Sequence, residues 1–113
     1  LVQGPEKLIV NKIRDALKRA YPDKIFIFKS AGGPFQQPGL PDLMMCIEGR
    51  FIGIEVKTPN TKSNITKLQQ HTLDEIGKAG GLGFVCWSAE DAVIKVGQWM
   101  NGCLRAGVWT VKM

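Results

Sequence analysis

Histidine is almost missing from this chain of 113 residues: His71 is the only one. Chemistries that need two or more histidines, such as zincin proteolysis or HNH-type and His-ligated phosphodiester cleavage, are excluded. Tyr21 is the only tyrosine, which disfavours a tyrosine nucleophile. The three cysteines, Cys46, Cys86 and Cys103, are odd in number, far apart and set among apolar neighbours, and no CxxC occurs. A disulfide scaffold and a zinc finger are both poor fits, so the thiols read as small hydrophobes in a reducing cytosol. No apolar run approaches the length of a membrane span. The first apolar stretch, Leu8–Val10, is short and lies among charges, unlike a signal peptide. A cytoplasmic protein with no membrane contact is expected.

Ordinary globular composition is present instead. Hydrophobic residues make up 44% and charged residues 22%, and a chain of this length can bury a core without staples. One domain over residues 1–113 is expected, with the opening Leu-Val-Gln-Gly-Pro resembling the remnant of a cleaved tag. Fifteen Lys and Arg against ten Asp and Glu leave a net charge of +5, which favours a polyanionic partner.

Pro5 to Ala20 reads as a helix whose apolar stripe is Ile9, Ile13, Ala16, Leu17 and Ala20. Tyr21-Pro22-Asp23 stops it. Ile25–Lys29 is a short strand. Ser30 to Pro41 holds three Gly and three Pro, and is loop. Leu43–Ile47 and Phe51–Val56 flank the turn signal Glu48-Gly49 and form a hairpin. Thr58–Asn64 is a polar loop. A second helix, Ile65–Ala79, ends at Gly80-Gly81, and Gly83–Trp87 is a further strand. Ser88, with Asp91 three residues on, starts a third helix to about Leu104. Gly107–Lys112 is a last strand candidate. The expected class is α/β, a mixed sheet flanked by helices.

Several polar residues fall where apolar ones are expected. If Glu48-Gly49 is a two-residue loop, Ile47 pairs with Arg50 and Asp42 lies opposite Glu55. Like charges facing across a ladder repel, and a cation between them removes the penalty. Strand alternation puts Glu55 and Lys57 on one face, about 7 Å apart. Gly53 shares that face and leaves room for a close approach. Glu6 falls within the apolar stripe of the first helix, where a carboxylate is costly unless paired or near a cation. In the second helix Ile65, Leu68, Leu73 and Ile76 define the inner stripe, with Gln69 pointing inward and Gln70 outward.

Taken together, Pro41-Asp42, Glu55-Val56-Lys57 and the inward Gln69 resemble the signature of the PD-(D/E)xK nuclease superfamily. More narrowly, Gly39-Leu40-Pro41-Asp42, Glu55-Val56-Lys57, Thr66-Lys67-Leu68-Gln69 and Ala79-Gly80-Gly81 resemble the virus-type replication-repair nuclease (VRR-Nuc) domain in its stand-alone phage and bacterial form. The resemblance runs from Glu6 to about Trp87. It implies a restriction-endonuclease-like core, α-β-β-β-α-β, to which the third helix and last strand are additions. It implies Mg²⁺ or Mn²⁺ held by Asp42, Glu55 and the Val56 backbone carbonyl, with Glu6 acting on a second metal or through a water. Lys57 and Gln69 then orient the attacking water.

The resemblance further implies a structure-selective DNA endonuclease. Members of this size look like Holliday-junction resolvases, which cut as homodimers; the alternatives are a monomeric flap or nicking nuclease, or a binding module that has lost catalysis. DNA backbone contacts are expected from Lys7, Lys12, Arg14, Lys18, Arg19, Lys29, Lys62 and Lys67, and the Ala31–Leu40 loop, with Phe35, could grip DNA. Trp99 and Met100, with Val108-Trp109, are candidates for self-association or for core.

Overall fold

A computed structural model describes residues 4–30, 37–58 and 65–106. Lys62, Phe35, Val108, Trp109 and the expected strand Gly107–Lys112 lie outside the described residues. The elements run α1 (Pro5–Ala20), β1 (Ile25–Lys29), β2 (Leu43–Ile47), β3 (Arg50–Val56), α2 (Lys67–Lys78), β4 (Leu82–Cys86) and α3 (Ala89–Ala106). The strands form one mixed sheet in the order β1-β2-β3-β4, antiparallel except for the parallel β3–β4 pair. No helix among the described residues is long and apolar enough to cross a membrane.

The hairpin forms because Glu48 and Gly49 both take positive φ, 50° and 84°, the conformation that a tight two-residue turn between right-twisted strands demands. That turn fixes the register. Ile47 pairs with Arg50 and Leu43 with Ile54, which sets Asp42 opposite Glu55 one step beyond the last paired residues. One face of the sheet, with Leu43, Met45, Ile47, Ile52, Ile54, Val56 and Cys86, is sealed by Val10, Ile13 and Leu17 of α1 and Ala89, Ala92, Val96 and Met100 of α3. This is the main core. α2 lies on the other face, over β3 and β4.

The close approach that Gly53 allows is made by α2: a Cβ there would lie 2.7 Å from Ile76 Cδ1 and 3.0 Å from Pro41 Cγ. The glycine therefore seats a helix, and with it the residues at that helix's start.

Some expectations change. The inner stripe of α1 is Val10, Ile13 and Leu17, with Ala20 exposed; Glu6 is one turn before Val10 and stays on the inner side. α2 starts at Lys67, because Thr66 caps it, and its buried residues are Thr72 and Leu73, while Leu68 is 48% exposed. Met100 belongs to the core at 2% exposure, and the partly buried Trp99 packs against it, so for Met100 the core alternative holds. Cys86 is buried, and that burial pushes its thiol up to about 12. Cys46, by contrast, is exposed, since it sits on the outward face of β2. α3 begins as expected, with the Ser88 hydroxyl accepting the Asp91 N–H at 3.1 Å.

Candidate active site

Asp42 and Glu55 come together at one end of the sheet, where β2 begins and β3 ends. The Val56 N–H donates to Asp42 Oδ2 at 2.7 Å, so the main chain beside Glu55 holds the Asp42 carboxylate in place. Glu55 itself is only 4% exposed. Its Oε2 accepts from Gln69 Nε2 at 3.1 Å and lies 3.5 Å from Lys57 Nζ. Its Oε1 is buried and has no hydrogen-bond partner.

Gln69 is fixed at both ends. Its Oε1 accepts the Thr66 N–H at 3.0 Å, while Thr66 Oγ1 accepts the Gln69 N–H at 3.1 Å. This reciprocal cap satisfies two helix-end donors. It also turns the Gln69 amide so that its NH₂ faces Glu55. Gln70 points outward and bonds Asp74 at 2.9 Å, as the helical spacing predicts. The role of Thr66 was overlooked in the sequence, although Thr-x-x-Gln ahead of a helix is a capping signal.

The electrostatics follow from burial. Desolvation first, then the Asp42 charge, pushes the Glu55 carboxyl up to about 7, with Lys57 opposing. Burial likewise raises Asp42, and Glu6 adds to the rise. Burial keeps both carboxyls raised even with the Lys57 ammonium 3.5 Å from Glu55. Asp42 also lines a cleft of about 460 Å³ with Glu6, Lys7, Val10, Asn11, Lys29 and Ser30. Lys29 Nζ donates to Asn11 Oδ1 at 2.9 Å across this cleft. Asn11 was not legible as a site residue, since α1 and β1 meet here only through tertiary packing.

The other basic candidates are placed elsewhere. Lys12 and Arg19 line a separate groove between α1 and α3. Arg14 lies 3.5 Å from Asp15. Lys18 and Lys67 are exposed, the latter at the start of α2.

The donor set fits a hard divalent cation. A buried carboxylate oxygen without a partner, beside a second carboxylate, is a place where a cation removes both a desolvation cost and a repulsion. Oxygen donors suit Mg²⁺ or Mn²⁺. No group of three or more His, Cys, Asp or Glu placed to hold a metal occurs among the described residues. Two carboxylates and a carbonyl with water completing the shell is the usual manner of Mg²⁺, which dehydrates reluctantly.

No family model matches the sequence, and no curated protein does. Among solved structures the chain is similar to a VRR_NUC domain protein, with a TM-score of 0.63 over 89% of this chain and 92% of that one, at 19% identity. The mixed sheet flanked by helices is thus the fold of a VRR-Nuc domain protein.

Proposed function

We propose that this chain is a Mg²⁺- or Mn²⁺-dependent endonuclease that cuts branched DNA, with four-way junctions as its preferred substrate and a homodimer as its working form. The observation that carries the nuclease reading is the unpartnered, buried Glu55 Oε1 beside Asp42, with Lys57 and Gln69 both on Glu55 Oε2. The name of the structural neighbour, a VRR_NUC domain protein, supports it. A binding module freed from catalysis has no use for this costly arrangement, and Asp42, Glu55 and Lys57 are all retained.

Asp42, Glu55 and the Val56 carbonyl would hold the cation. When bound, it supplies Lewis-acid stabilisation to the phosphate and makes water a better nucleophile. Gln69 holds the Glu55 carboxylate in one orientation, because its own amide is locked by the helix cap. Lys57 presents an ammonium beside the same carboxylate, where it orients water or balances charge developing on phosphate oxygens. Glu6, on the cleft that Asp42 lines, would act through a water or on a second ion. Lys7 and Lys29, on the walls of the cleft that Asp42 lines, contact the backbone phosphates next to the reacting one. Lys12, Arg14, Lys18, Arg19, Lys62 and Lys67 add weaker contacts further away.

The test is purified protein with end-labelled four-way junction, flap and linear duplex, each with Mg²⁺, Mn²⁺ or EDTA. Paired, symmetry-related cuts in the junction, absent in EDTA, are expected. Cleavage that persists in EDTA overturns the metal dependence. Efficient flap cutting with junctions untouched overturns the junction preference.

A further inference from the structure

Among the described residues, the face of the sheet that carries the acid pair is only half covered. α2 covers β3 and β4. Over β1 and β2 the same face presents Phe26 at 68% exposure, Phe28 at 42% and, at the start of β3, Phe51 at 41%. The register sets these side chains in rows. Phe26 pairs with Cys46 and Cys46 with Phe51; Phe28 pairs with Met44 and Met44 with Gly53. Successive rows are about 7 Å apart, and the next row holds Asp42 and Glu55. Phe26 and Phe28 also touch, with ring centroids 5.8 Å apart. The exposed thiol of Cys46 lies between Phe26 and Phe51. Among the described residues β1 is an edge strand of the sheet.

We propose that this aromatic face is where a second copy of the chain docks. The proposal deepens the dimeric reading above by assigning its surface. Two features select a second copy. First, the two rows contain no charged residue. A surface that binds single-stranded nucleic acid interleaves its aromatics with Lys or Arg, whereas here the basic side chains of α1 and Lys29 lie on the other side of the sheet. An uncharged apolar patch needs an uncharged apolar counterpart, and a two-fold contact supplies one by construction. At the hairpin end the flanking charges are one exposed cation and one exposed anion, Lys24 and Glu48, so a two-fold contact carries no excess of like charge there. Second, the area suits the centre of an interface. The three phenyls leave on the order of 300 Å² open, given the roughly 150–250 Å² each ring can bury. A stable dimer covers about 800 Å² per partner, of which the apolar centre is a part and the rim the remainder.

The arrangement also has a consequence for access. With the aromatic rows occupied by a second copy, DNA reaches the acids through the cleft beside Lys7, Asn11 and Lys29. The two acid pairs then lie close to one two-fold axis, the relation that paired cuts in a junction require.

Sedimentation velocity across the micromolar range tests this without relying on cleavage. Wild type is expected at twice the chain mass. Phe26→Glu and Phe51→Glu, both at exposed positions, are each expected to weaken association by about thirtyfold or more, the loss typical of a central interface residue, with unchanged circular dichroism. Ile94→Glu, exposed on α3 at 57%, is the control and should stay dimeric. Wild type at single-chain mass, dimers that survive both Phe substitutions, or a dimer broken by Ile94→Glu each overturn the proposal. So does a Phe26→Glu that leaves the mass unchanged and weakens DNA binding, because the face then serves nucleic acid. If wild type cuts no DNA while Phe26→Glu still splits the dimer, the nuclease reading falls and the interface stands. If Phe26→Glu is monomeric and nicks one strand without pairing its cuts, both readings hold.

Discussion

Of two clefts that the described residues form along α1, the larger is the less informative. The groove against α3 is about 650 Å³ and is lined by Lys12, Asp15, Ala16, Arg19, Ala89, Glu90, Val93 and Ile94. The cleft toward the acid pair is about 460 Å³. In the larger groove two cations face two anions on an apolar floor, and charge is already balanced. The smaller one has the same count, Glu6 and Asp42 against Lys7 and Lys29, but there Asp42 is raised by burial, and next to it stands the buried Glu55, raised to about 7, with an oxygen that nothing satisfies. Volume shows where a ligand fits; an unsatisfied buried carboxylate oxygen shows where one is needed. If that distinction is right, substitutions in the smaller cleft are costly for activity and those in the larger one are mild.

The sharpest break comes at the acids. Asp42→Asn keeps an oxygen to accept the Val56 N–H, so the fold survives, while a charged ligand is lost. The cleavage rate should fall by about a thousandfold or more, read on labelled junction at saturating Mg²⁺. Asp15→Asn, in the larger groove, should leave the rate within about twofold, as solvated surface positions usually do. Equal losses in the two variants would erase the difference between the clefts.

Proton and cation compete for the same oxygens, so stability of the metal-free protein should depend on pH. Glu55 titrates near 7 in the folded chain against an ordinary 4.5. The folded state therefore holds its proton more tightly. Its contribution is fully present below about pH 4.5 and is lost as pH rises through 7. The loss is on the order of 3 kcal/mol, and Asp42, also raised, acts in the same direction. Thermal melts in EDTA should show Tm falling between pH 5 and 8, and Mg²⁺ should restore most of it at pH 8. Glu55→Gln should flatten the pH dependence. A profile that rises over this range, or is unmoved by Glu55→Gln, would falsify the burial assignment.

Gln69 and Gln70 are adjacent in sequence and differ only in where they point. Gln69→Ala should lower the rate by about 10–100-fold, the usual effect of losing a group that orients a ligand. Gln70→Ala should be nearly silent. Gln69 also belongs to the cap, so Thr66→Ala separates the two roles. That change removes the capping hydroxyl, costs about 1 kcal/mol of stability, and leaves the Thr66 N–H that anchors the Gln69 amide. A Thr66→Ala enzyme as slow as Gln69→Ala would mean that helix capping, and not the amide, is what the rate reports.

Much of this site was legible because local rules fixed it. Glu48-Gly49 dictates a tight turn, the turn dictates register, and register alone brings Asp42 opposite Glu55. Helical spacing turned Gln69 inward in the same way. What escaped was decided by where elements end against one another. Leu68 satisfies the apolar spacing of α2 but falls in its first turn, where it is left half exposed. Met100 satisfies the spacing of an interface residue and of a core residue equally, and only the docking of α3 on the sheet decides for the core. The Lys29–Asn11 bond joins residues 18 apart, and no local pattern announces it.

That bond gives the finest way to compare the two clefts. Lys29 is long and flexible, and Asn11 holds its ammonium at 2.9 Å on the wall of the cleft that Asp42 lines. A phosphate contact made by a held lysine should register in binding and in salt dependence. Lys29→Ala should raise KM severalfold, leave kcat within about twofold, and reduce the slope of log K against log salt by about one. Asn11→Ala leaves the charge and releases it, so KM should rise less and the slope should stay near that of wild type. Lys12→Ala and Arg19→Ala should reduce the slope by less than Lys29→Ala, because they line the α1–α3 groove and not the cleft that Asp42 lines. Fluorescence anisotropy of labelled junction DNA in Ca²⁺, at several salt concentrations, reads all four variants. If the order is reversed and Arg19 dominates the slope, DNA lies along the α1–α3 groove, and the larger cleft is the binding track after all.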